Sequence, residues 1–250
     1  MKLLPTSLAL AFTALVPFAP AADGFKSIFN GRDLSGWEGQ SQYWSVRDGA
    51  ITGQTMDDSL PANTFLVYKG SEPANFELRM KFKLTAQNEK GQANSGVQYR
   101  SKIMDPATYV VGGYQADIDN GRYIGMLYEE KGRGILMQPG QKIRIGETKA
   151  DDEAKGGKAK KGKQKTSVET VSTVTTPEQL AAAYKFGEWS ELRIVAKGNH
   201  VQHYVNGKLT ADVTDNDAKL APKSGVIALQ LHRGPPMTVQ FKDVQLKTLP

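Results

Sequence analysis

The sequence predicts an all-β protein, a sandwich or barrel of short antiparallel strands with one short helix. Apolar and polar residues alternate along much of the chain, which is the pattern of strands with one buried face. Glycine, asparagine and aspartate separate these runs, and a helix-like pattern occurs in one segment. In such a fold, the outer face of a curved sheet forms a natural groove for an extended ligand.

Residues 1–22 have the features of a secretory signal peptide. Lys2 supplies the positively charged N-terminal region, and residues 8–16 form an apolar run that is too short to span a bilayer. We therefore expect export to the periplasm or the exterior, and a single folded domain over residues 23–250 with no membrane span. The chain has no cysteine, so it has neither disulfides nor a thiolate metal site.

The formal net charge of +6 comes mainly from one segment. Residues 149–165 hold seven lysines and three acids, so most of the excess charge lies there. A nucleic-acid site needs basic residues spread over a folded face, and we therefore expect no nucleic-acid partner. The segment also lacks apolar periodicity, and we predict that residues 149–165 form a disordered, lysine-rich surface insertion.

Two segments carry clear strand signals. Residues 76–85 place apolar side chains at every second position and charged or hydroxyl side chains between them, which predicts a half-buried antiparallel strand. In residues 200–213, Asn206 and Gly207 separate two alternating runs. Both residue types tolerate positive φ, so this pair predicts a two-residue hairpin turn.

The last strand changes phase within itself. In residues 239–249, the apolar positions are odd before Lys242-Asp243 and even after this pair. One extra residue in a strand produces such a change, so the pattern predicts a β-bulge there.

One helix is predicted, over residues 176–187. Thr176 is suited to the N-cap, Pro177 to the first helical position and Gln179 to the partner of a capping box. We expect Gly187 to end this helix.

Three other strands carry polar residues of a different kind. In residues 94–100, 113–119 and 225–234, apolar residues at alternate positions can pack into the core, while the polar residues between them face away. These polar residues suit hydrogen bonding to sugar hydroxyls better than the lysine and threonine of residues 76–85 do. Alternation alone also fits an ordinary solvated face. The residues concerned are Gln98, Arg100, Gln115, Asp117, Asp119, Gln230 and His232.

Several motifs occur in an order that resembles one known family. They are FKSIFNGRDLSGWEG at 25–39, YWSVRDGAITGQ at 43–54, NSGVQYR at 94–100, GYQADID at 113–119, GMLYEEKGRG at 125–134, and the blocks at 187–207 and 225–249. This ordered series is similar to the 3-keto-disaccharide hydrolase domain family. The resemblance covers nearly all of residues 23–250 except the lysine-rich insertion.

The resemblance implies a concanavalin-like jelly-roll β-sandwich of two curved antiparallel sheets. It also implies an exported enzyme that cleaves the glycosidic bond of 3-keto-glycosides or 3-keto-disaccharides. The ketone acidifies the proton at C2, so a base can remove it and the group at C1 can leave; direct hydrolysis stays open as a second route. Family members often carry a glutamate where this chain has Gly113, which leaves the acidic role to Asp117 or Asp119.

Three residues are the expected catalytic groups. His232, which titrates near neutral pH, is the leading base, with binding of a sugar hydroxyl as its alternative role. Arg100 stabilises an enolate or anchors a sugar hydroxyl, or it forms an ion pair with Asp117 or Asp119. Asp117 supplies acid or base, or holds a divalent cation together with Asp119. The expected substrate-binding residues are Gln98, Gln115, Asp119, Glu129, Arg133 and Gln230.

Two other functions remain open from the sequence. One is a non-catalytic carbohydrate-binding module on the same fold, and the other is conventional glycosidase action, which needs a pair of carboxylates across the bond. His200 and His203 have opposite parity on the predicted hairpin, so we expect surface positions and no shared metal. The aglycone, the metal and the oligomeric state are left open.

Overall fold

A computed structural model describes residues 23–57, 60–150 and 164–250. The predicted signal peptide at 1–22 and most of the predicted insertion lie outside these residues. The two ends of the insertion are described, and they differ from the expectation. Lys149 pairs with Lys165 and Ala150 with Gln164 in an antiparallel ladder, so the flanking strands continue into the lysine-rich segment.

Seventeen strands and one helix make up the described chain. In chain order the elements are β1 (Lys26–Ser27), β2 (Trp37–Glu38), β3 (Trp44–Arg47), β4 (Ala50–Thr55), β5 (Thr64–Tyr68), β6 (Phe76–Ala86), β7 (Asn94–Asp105), β8 (Val110–Asp119), β9 (Leu127–Glu130), β10 (Gly134–Ile135), β11 (Gln141–Ala150), β12 (Gln164–Thr173), α1 (Pro177–Ala183), β13 (Ser190–Lys197), β14 (His200–Val205), β15 (Lys208–Asp215), β16 (Val226–Leu231) and β17 (Met237–Thr248).

The strands form two sheets that pack face to face. The ten-stranded sheet has the order β12-β11-β15-β14-β13-β6-β17-β4-β3, with β1 beside β17. The seven-stranded sheet has the order β10-β9-β8-β7-β16-β5-β2. β11 and β15 run parallel, and the other pairings among the described strands are antiparallel. The predicted all-β sandwich with one short helix is confirmed.

The core lies between the sheets and follows from the alternation in the sequence. The apolar positions of β6 are buried, and the polar positions between them are half-buried or exposed. Each fully buried large apolar side chain contributes about 1.5–3 kcal/mol, so a one-residue slip that turned this set outward would be strongly disfavoured. The seven-stranded sheet supplies Val97, Tyr99, Tyr114, Ala116, Ile118, Ile227, Leu229 and Leu231 to the same core.

Both predicted local irregularities are confirmed. Asn206 and Gly207 have φ values of 46° and 77°, which are the left-handed conformations that a tight hairpin between β14 and β15 requires. The pairing of β17 with β6 shifts between Lys242 and Gln245, and Asp243 has a φ of 54°. The bulge keeps the apolar side chains on both sides of it in the core.

The helix begins as predicted and ends early. Thr176 is the N-cap, and it exchanges both capping-box hydrogen bonds with Gln179. The helix ends at Ala183, not at Gly187, because Tyr184 is extended. The ring of Tyr184 is buried, and its hydroxyl donates to the backbone oxygen of Asp119 at 2.7 Å. No helix among the described residues is long and apolar enough to cross a membrane.

Candidate functional site

The candidate site lies on the face of the seven-stranded sheet that points away from the core, here called the polar face. The side-chain amide of Gln230 on β16 donates to Glu130 on β9 at 3.2 Å, although two strands lie between them. In a flat sheet these strands would be about 14 Å apart. The sheet therefore curls toward its polar face, which makes this face concave.

Two glycines leave room for the side chains that cover this face. Gly96 pairs with Asp117, and a Cβ at Gly96 would lie 2.4 Å from Cδ of Gln115. Gly113, with φ of 141°, would place a Cβ 2.4 Å from Oγ of Ser101. Larger residues at these positions would displace the polar side chains, so both glycines are needed for the arrangement.

Gln98 and Gln115 are on the polar face, as the alternation predicts. Oγ of Ser101 donates to Oε1 of Gln98 at 2.7 Å, and Nε2 of Gln98 donates to Oε1 of Gln115 at 2.8 Å. Nε2 of Gln115 then donates to Oδ1 of Asp117 at 2.7 Å. All four side chains are buried, so the polar face here is a buried hydrogen-bonded layer and differs from a solvated surface.

Asp117 is buried to 4% exposure. Burial raises its pKa to about 7, and the negative charges of Asp119 and Glu130 act in the same direction. Hydrogen bonds from Gln115 and Asn94 oppose the rise without cancelling it. A carboxyl group that titrates near neutral pH can serve either as a general acid or as a general base.

Glu130 is a second carboxylate on the polar face, where Glu129 was the residue expected from the sequence. Its Oε2 accepts hydrogen bonds from Asn63 at 3.3 Å and from Gln230 at 3.2 Å. Burial raises the pKa of Glu130. Gln230 is 1% exposed, and no group among the described residues donates to its Oε1. A buried acceptor without a donor is the kind of atom that a substrate hydroxyl can satisfy.

His232 follows the last residue of β16 and lines a cavity of about 260 Å³ together with Asn94 and Asp119. Its Nδ1 contacts the backbone oxygen of Arg233. A carbonyl oxygen only accepts, so Nδ1 carries the proton and Nε2 keeps its lone pair. Burial lowers the pKa of His232, which favours the neutral ring. Asn94 links this cavity to Asp117, because its Nδ2 donates to Oδ2 of Asp117 at 3.4 Å.

Arg100 does not join these residues, which corrects the expectation from alternation. The pairing of β7 with β8 shifts between Tyr99 and Lys102, and Arg100 has a φ of 48°. This bulge turns Ser101 onto the polar face in place of Arg100. The guanidinium donates to the backbone oxygens of Ala74 and Gly198 at 2.6–2.8 Å.

Arg100 therefore holds the segment before β6 and the turn between β13 and β14, and it contacts neither Asp117 nor Asp119. Neither the enolate role nor the ion pair expected for it fits this placement.

Glu129 and Arg133 also lie elsewhere than expected. Glu129 pairs with Tyr114, so it shares the core-facing side of the sheet, and Glu130 takes the polar side. The Arg133 guanidinium forms ion pairs with Glu129 and with Asp215 on the opposite sheet, the latter at 2.6 Å. The hydroxyl of Tyr114 also donates to Asp215. This buried cluster joins the two sheets, which corrects the expectation that Glu129 and Arg133 bind substrate.

Asp119 caps a loop. Its carboxylate accepts from the backbone N–H groups of Gly121 at 2.9 Å and Tyr123 at 3.0 Å. Within the described ranges, no group of three or more histidine, cysteine, aspartate or glutamate side chains could hold a metal ion. The cation considered from the sequence needs only Asp117 and Asp119 among the protein groups, so it stays a prediction.

His203 is in the core, so the expectation of a surface position was wrong. It is fully buried, its Nε2 lies 2.7 Å from the Tyr99 hydroxyl, and its Nδ1 lies 3.1 Å from the backbone oxygen of Gly125. Burial lowers its pKa to about 4, which keeps the ring neutral. His203 therefore ties β14 to the seven-stranded sheet.

Comparisons with known proteins place this geometry in context. Residues 24–247 match the sequence profile of the 3-keto-alpha-glucoside-1,2-lyase-like domain family. No curated protein matches the chain.

Solved structures show the same architecture at low sequence identity. A candidate glycosyl hydrolase from Parabacteroides distasonis is 19% identical, with a TM-score of 0.55 over 92% of this chain and 95% of that chain. A Bacillus subtilis protein of unknown function with a galectin-like fold is 11% identical, with a TM-score of 0.52 over 86% and 90%. The carbohydrate-binding module CBM66 from Bacillus subtilis is 14% identical, with a TM-score of 0.51 over 85% and 96%. These likenesses establish the fold.

Proposed function

This chain belongs to the 3-keto-alpha-glucoside-1,2-lyase-like domain family, and on that premise we propose that it is an exported enzyme that cleaves the glycosidic bond of 3-keto-glycosides. One observation carries the proposal. A buried carboxyl with a pKa of about 7, Asp117, accepts a hydrogen bond from Asn94, and Asn94 lines the same cavity as the neutral imidazole of His232. Acid and base of this kind are what elimination next to a ketone needs.

In the proposed reaction, Nε2 of His232 takes the proton from C2 of the sugar, which the neighbouring ketone acidifies. The electron pair of the C2–H bond forms a C1=C2 double bond, and the bond between C1 and the glycosidic oxygen breaks. Asp117 gives its proton to the leaving oxygen, so the aglycone departs as an alcohol. The other product is an unsaturated keto sugar, and later addition of water gives net hydrolysis.

Amides on the polar face are suited to hold the sugar. Among the described residues no group donates to Oε1 of Gln230, so a substrate hydroxyl bonded there would remove the penalty of an unpaired buried acceptor, about 1–3 kcal/mol. Glu130 fixes Gln230 and Asn63 through two hydrogen bonds, which orients both amides before substrate binds. Arg100 has no part in this binding, since its guanidinium is held by the backbone oxygens of Ala74 and Gly198.

The proposal is tested with a 3-keto-disaccharide and its unoxidised parent as the matched control. We expect cleavage of the keto sugar alone. A substrate deuterated at C2 should react more slowly and lose its label to the solvent, because the C2–H bond breaks during elimination. Cleavage that retains the deuterium would indicate direct hydrolysis, and absence of any cleavage would contradict the enzymatic assignment.

A non-catalytic carbohydrate-binding module is the second candidate. It is favoured by the likeness of the fold to CBM66 and by the amide-rich character of the polar face. This function predicts saturable binding of the sugar by calorimetry with no product, and binding that survives Asp117→Asn and His232→Gln. Turnover of the keto sugar would exclude it.

A further inference from the structure

A directional chain of hydrogen bonds ends on the carboxyl group of Asp117. Its members are Ser101, Gln98, Gln115 and Asp117, here called the amide relay. Each link has one donor and one acceptor, at 2.7, 2.8 and 2.7 Å. Gln98 does not contact the carboxyl group itself, so any influence of Gln98 on Asp117 passes through Gln115.

The relay has a polarity. A glutamine side chain presents an oxygen on one side and an amide on the other, so the orientation of one glutamine determines that of the next. The Ser101 hydroxyl has one hydrogen and three acceptors within reach: Oε1 of Gln98 at 2.7 Å and the backbone oxygens of Tyr99 at 2.9 Å and Tyr114 at 3.4 Å. Donation to the nearest of them, Oε1 of Gln98, makes both amide groups face toward Asp117. Oδ1 of Asp117 is therefore an acceptor. Oδ2 has a longer contact of 3.4 Å, from Asn94.

We propose that Gln98 and Gln115 are positioning residues that hold the acid proton of Asp117 on Oδ2, the oxygen outside the relay, and direct it toward Asn94 and the cavity that His232 lines. An oxygen that already accepts from Gln115 cannot also carry a proton toward Gln115 without a clash of hydrogens. The proton is thus kept where a leaving oxygen can take it. This inference rests on the proposed function for its chemical purpose, but the proton's location is a property of the free protein.

The backbone around the amide relay leaves space for its side chains. Glycines stand under Ser101 and under Gln115, at Gly113 and Gly96, where any Cβ would come within 2.4 Å of the side chain above. The bulge that removes Arg100 from the polar face places Ser101 at the head of the relay. Two glycines and one bulge are thus needed for the same chain of hydrogen bonds.

The opposite polarity is the competing arrangement. Both amides would be turned round, Oε1 of Gln115 would face Asp117, and the carboxyl proton would sit on Oδ1 inside the relay. The two polarities predict shifts of opposite sign when Gln98 is removed. The ionisable groups that face Asp117 are Asp119 on its own strand, Glu130 and Tyr128 on β9, and His232 beyond Asn94, and they are unchanged in this comparison.

The experiment titrates the Asp117 carboxyl by carbon-13 NMR in the free protein, with Asp117→Asn used to assign the signal. In Gln98→Met, Gln115 becomes free to rotate and accept from a protonated Asp117, so we expect the pKa of Asp117 to rise by about half a unit. Gln115→Met removes the donor itself and should raise the pKa by about one unit or more. Ser101→Ala removes only the first hydrogen bond of the relay, and it should also raise the pKa of Asp117.

Gln240→Met is the matched control, because Gln240 lies on the ten-stranded sheet, where its amide contacts Thr52. It should leave the titration of Asp117 unchanged. A fall in the pKa of Asp117 in Gln98→Met or Ser101→Ala, or no shift in either, would overturn the proposal. The readout needs no substrate, so a protein that shows the expected shifts but no turnover would retain the relay and lose the proposed function.

Discussion

The side-chain amide of Gln230 donates to the carboxylate of Glu130 at 3.2 Å across two intervening strands. This contact exists because the seven-stranded sheet curls toward its polar face. The curl brings Glu130 on β9 toward Gln230 on β16, and Asp117 on the intervening strand β8 is buried. It thereby removes the Asp117 carboxyl from water, and this burial is the main cause of its raised pKa.

Asp117→Asn should change how stability depends on pH. The pKa of Asp117 is about 7 in the fold and about 3.9 in the unfolded chain. Because the folded value is raised, the stability from this group is fully present below about pH 4 and is lost as pH rises through 7. Relative to wild type, the variant should gain up to about 4 kcal/mol between pH 4 and pH 8. Urea unfolding at both pH values measures this, and an equal difference at both would contradict it.

His203 should act in the opposite direction. Its pKa is about 4 in the fold and about 6.5 when unfolded, so its stability is present above pH 6.5 and is lost as pH falls toward 4. We expect a loss of about 3 kcal/mol over that window in wild type. His203→Gln should be less stable at pH 8, because two buried hydrogen bonds change, but its stability should depend less on pH between 6.5 and 4. A variant with the wild-type acid dependence would argue against this role.

His232→Gln should abolish most of the proposed turnover. A general base contributes about 100-fold to 10,000-fold, so kcat should fall by this order while KM changes little. His200→Gln is the control, because His200 lies on the other sheet and pairs with Asp212 at 2.8 Å. Steady-state kinetics with the keto sugar measure both. Full activity in His232→Gln would remove it from the mechanism.

The pH profile of kcat/KM should have its alkaline limb near 7. Asp117 must be protonated to act as the acid, and burial sets its pKa at about 7. His232 must be neutral, and its lowered pKa keeps the acid limb below pH 6.5. An alkaline limb far above pH 7 would assign the acid role to another group.

Arg133→Met should reduce stability and leave substrate affinity unchanged. The substitution leaves two buried carboxylates, Glu129 and Asp215, without their cation, which costs about 3–5 kcal/mol. Arg144→Met is the matched control, since Arg144 forms an exposed pair with Glu169, and it should change stability little. Denaturant unfolding measures the stability of both variants, and steady-state kinetics measure their KM. A raised KM in a stably folded Arg133 variant would restore the substrate-binding role expected from the sequence.

The fold could be derived largely from local pattern. Period-two alternation indicated the strands and their core faces, Asn206-Gly207 indicated the hairpin, and a change of phase indicated the bulge near Asp243. These features depend on residues close together in the chain, so the sequence carries them directly. The polar faces of β7, β8 and β16 followed from the same alternation, and Gln98, Gln115, Asp117 and Gln230 lie there as expected.

What only the tertiary structure decided was which side chains meet. Arg100 does not lie on the polar face because it adopts a positive φ in the middle of β7, which produces a bulge. No glycine or other turn residue in the sequence indicates this bulge. Glu130, and not Glu129, faces Gln230. Pairing of Glu130 with Gly113 on β8 puts its side chain on the polar face, and the curl of the sheet brings it within reach of Gln230. Register and curvature arise from contacts between residues far apart in sequence. Alternation therefore determined the faces of the strands, and long-range packing determined the site.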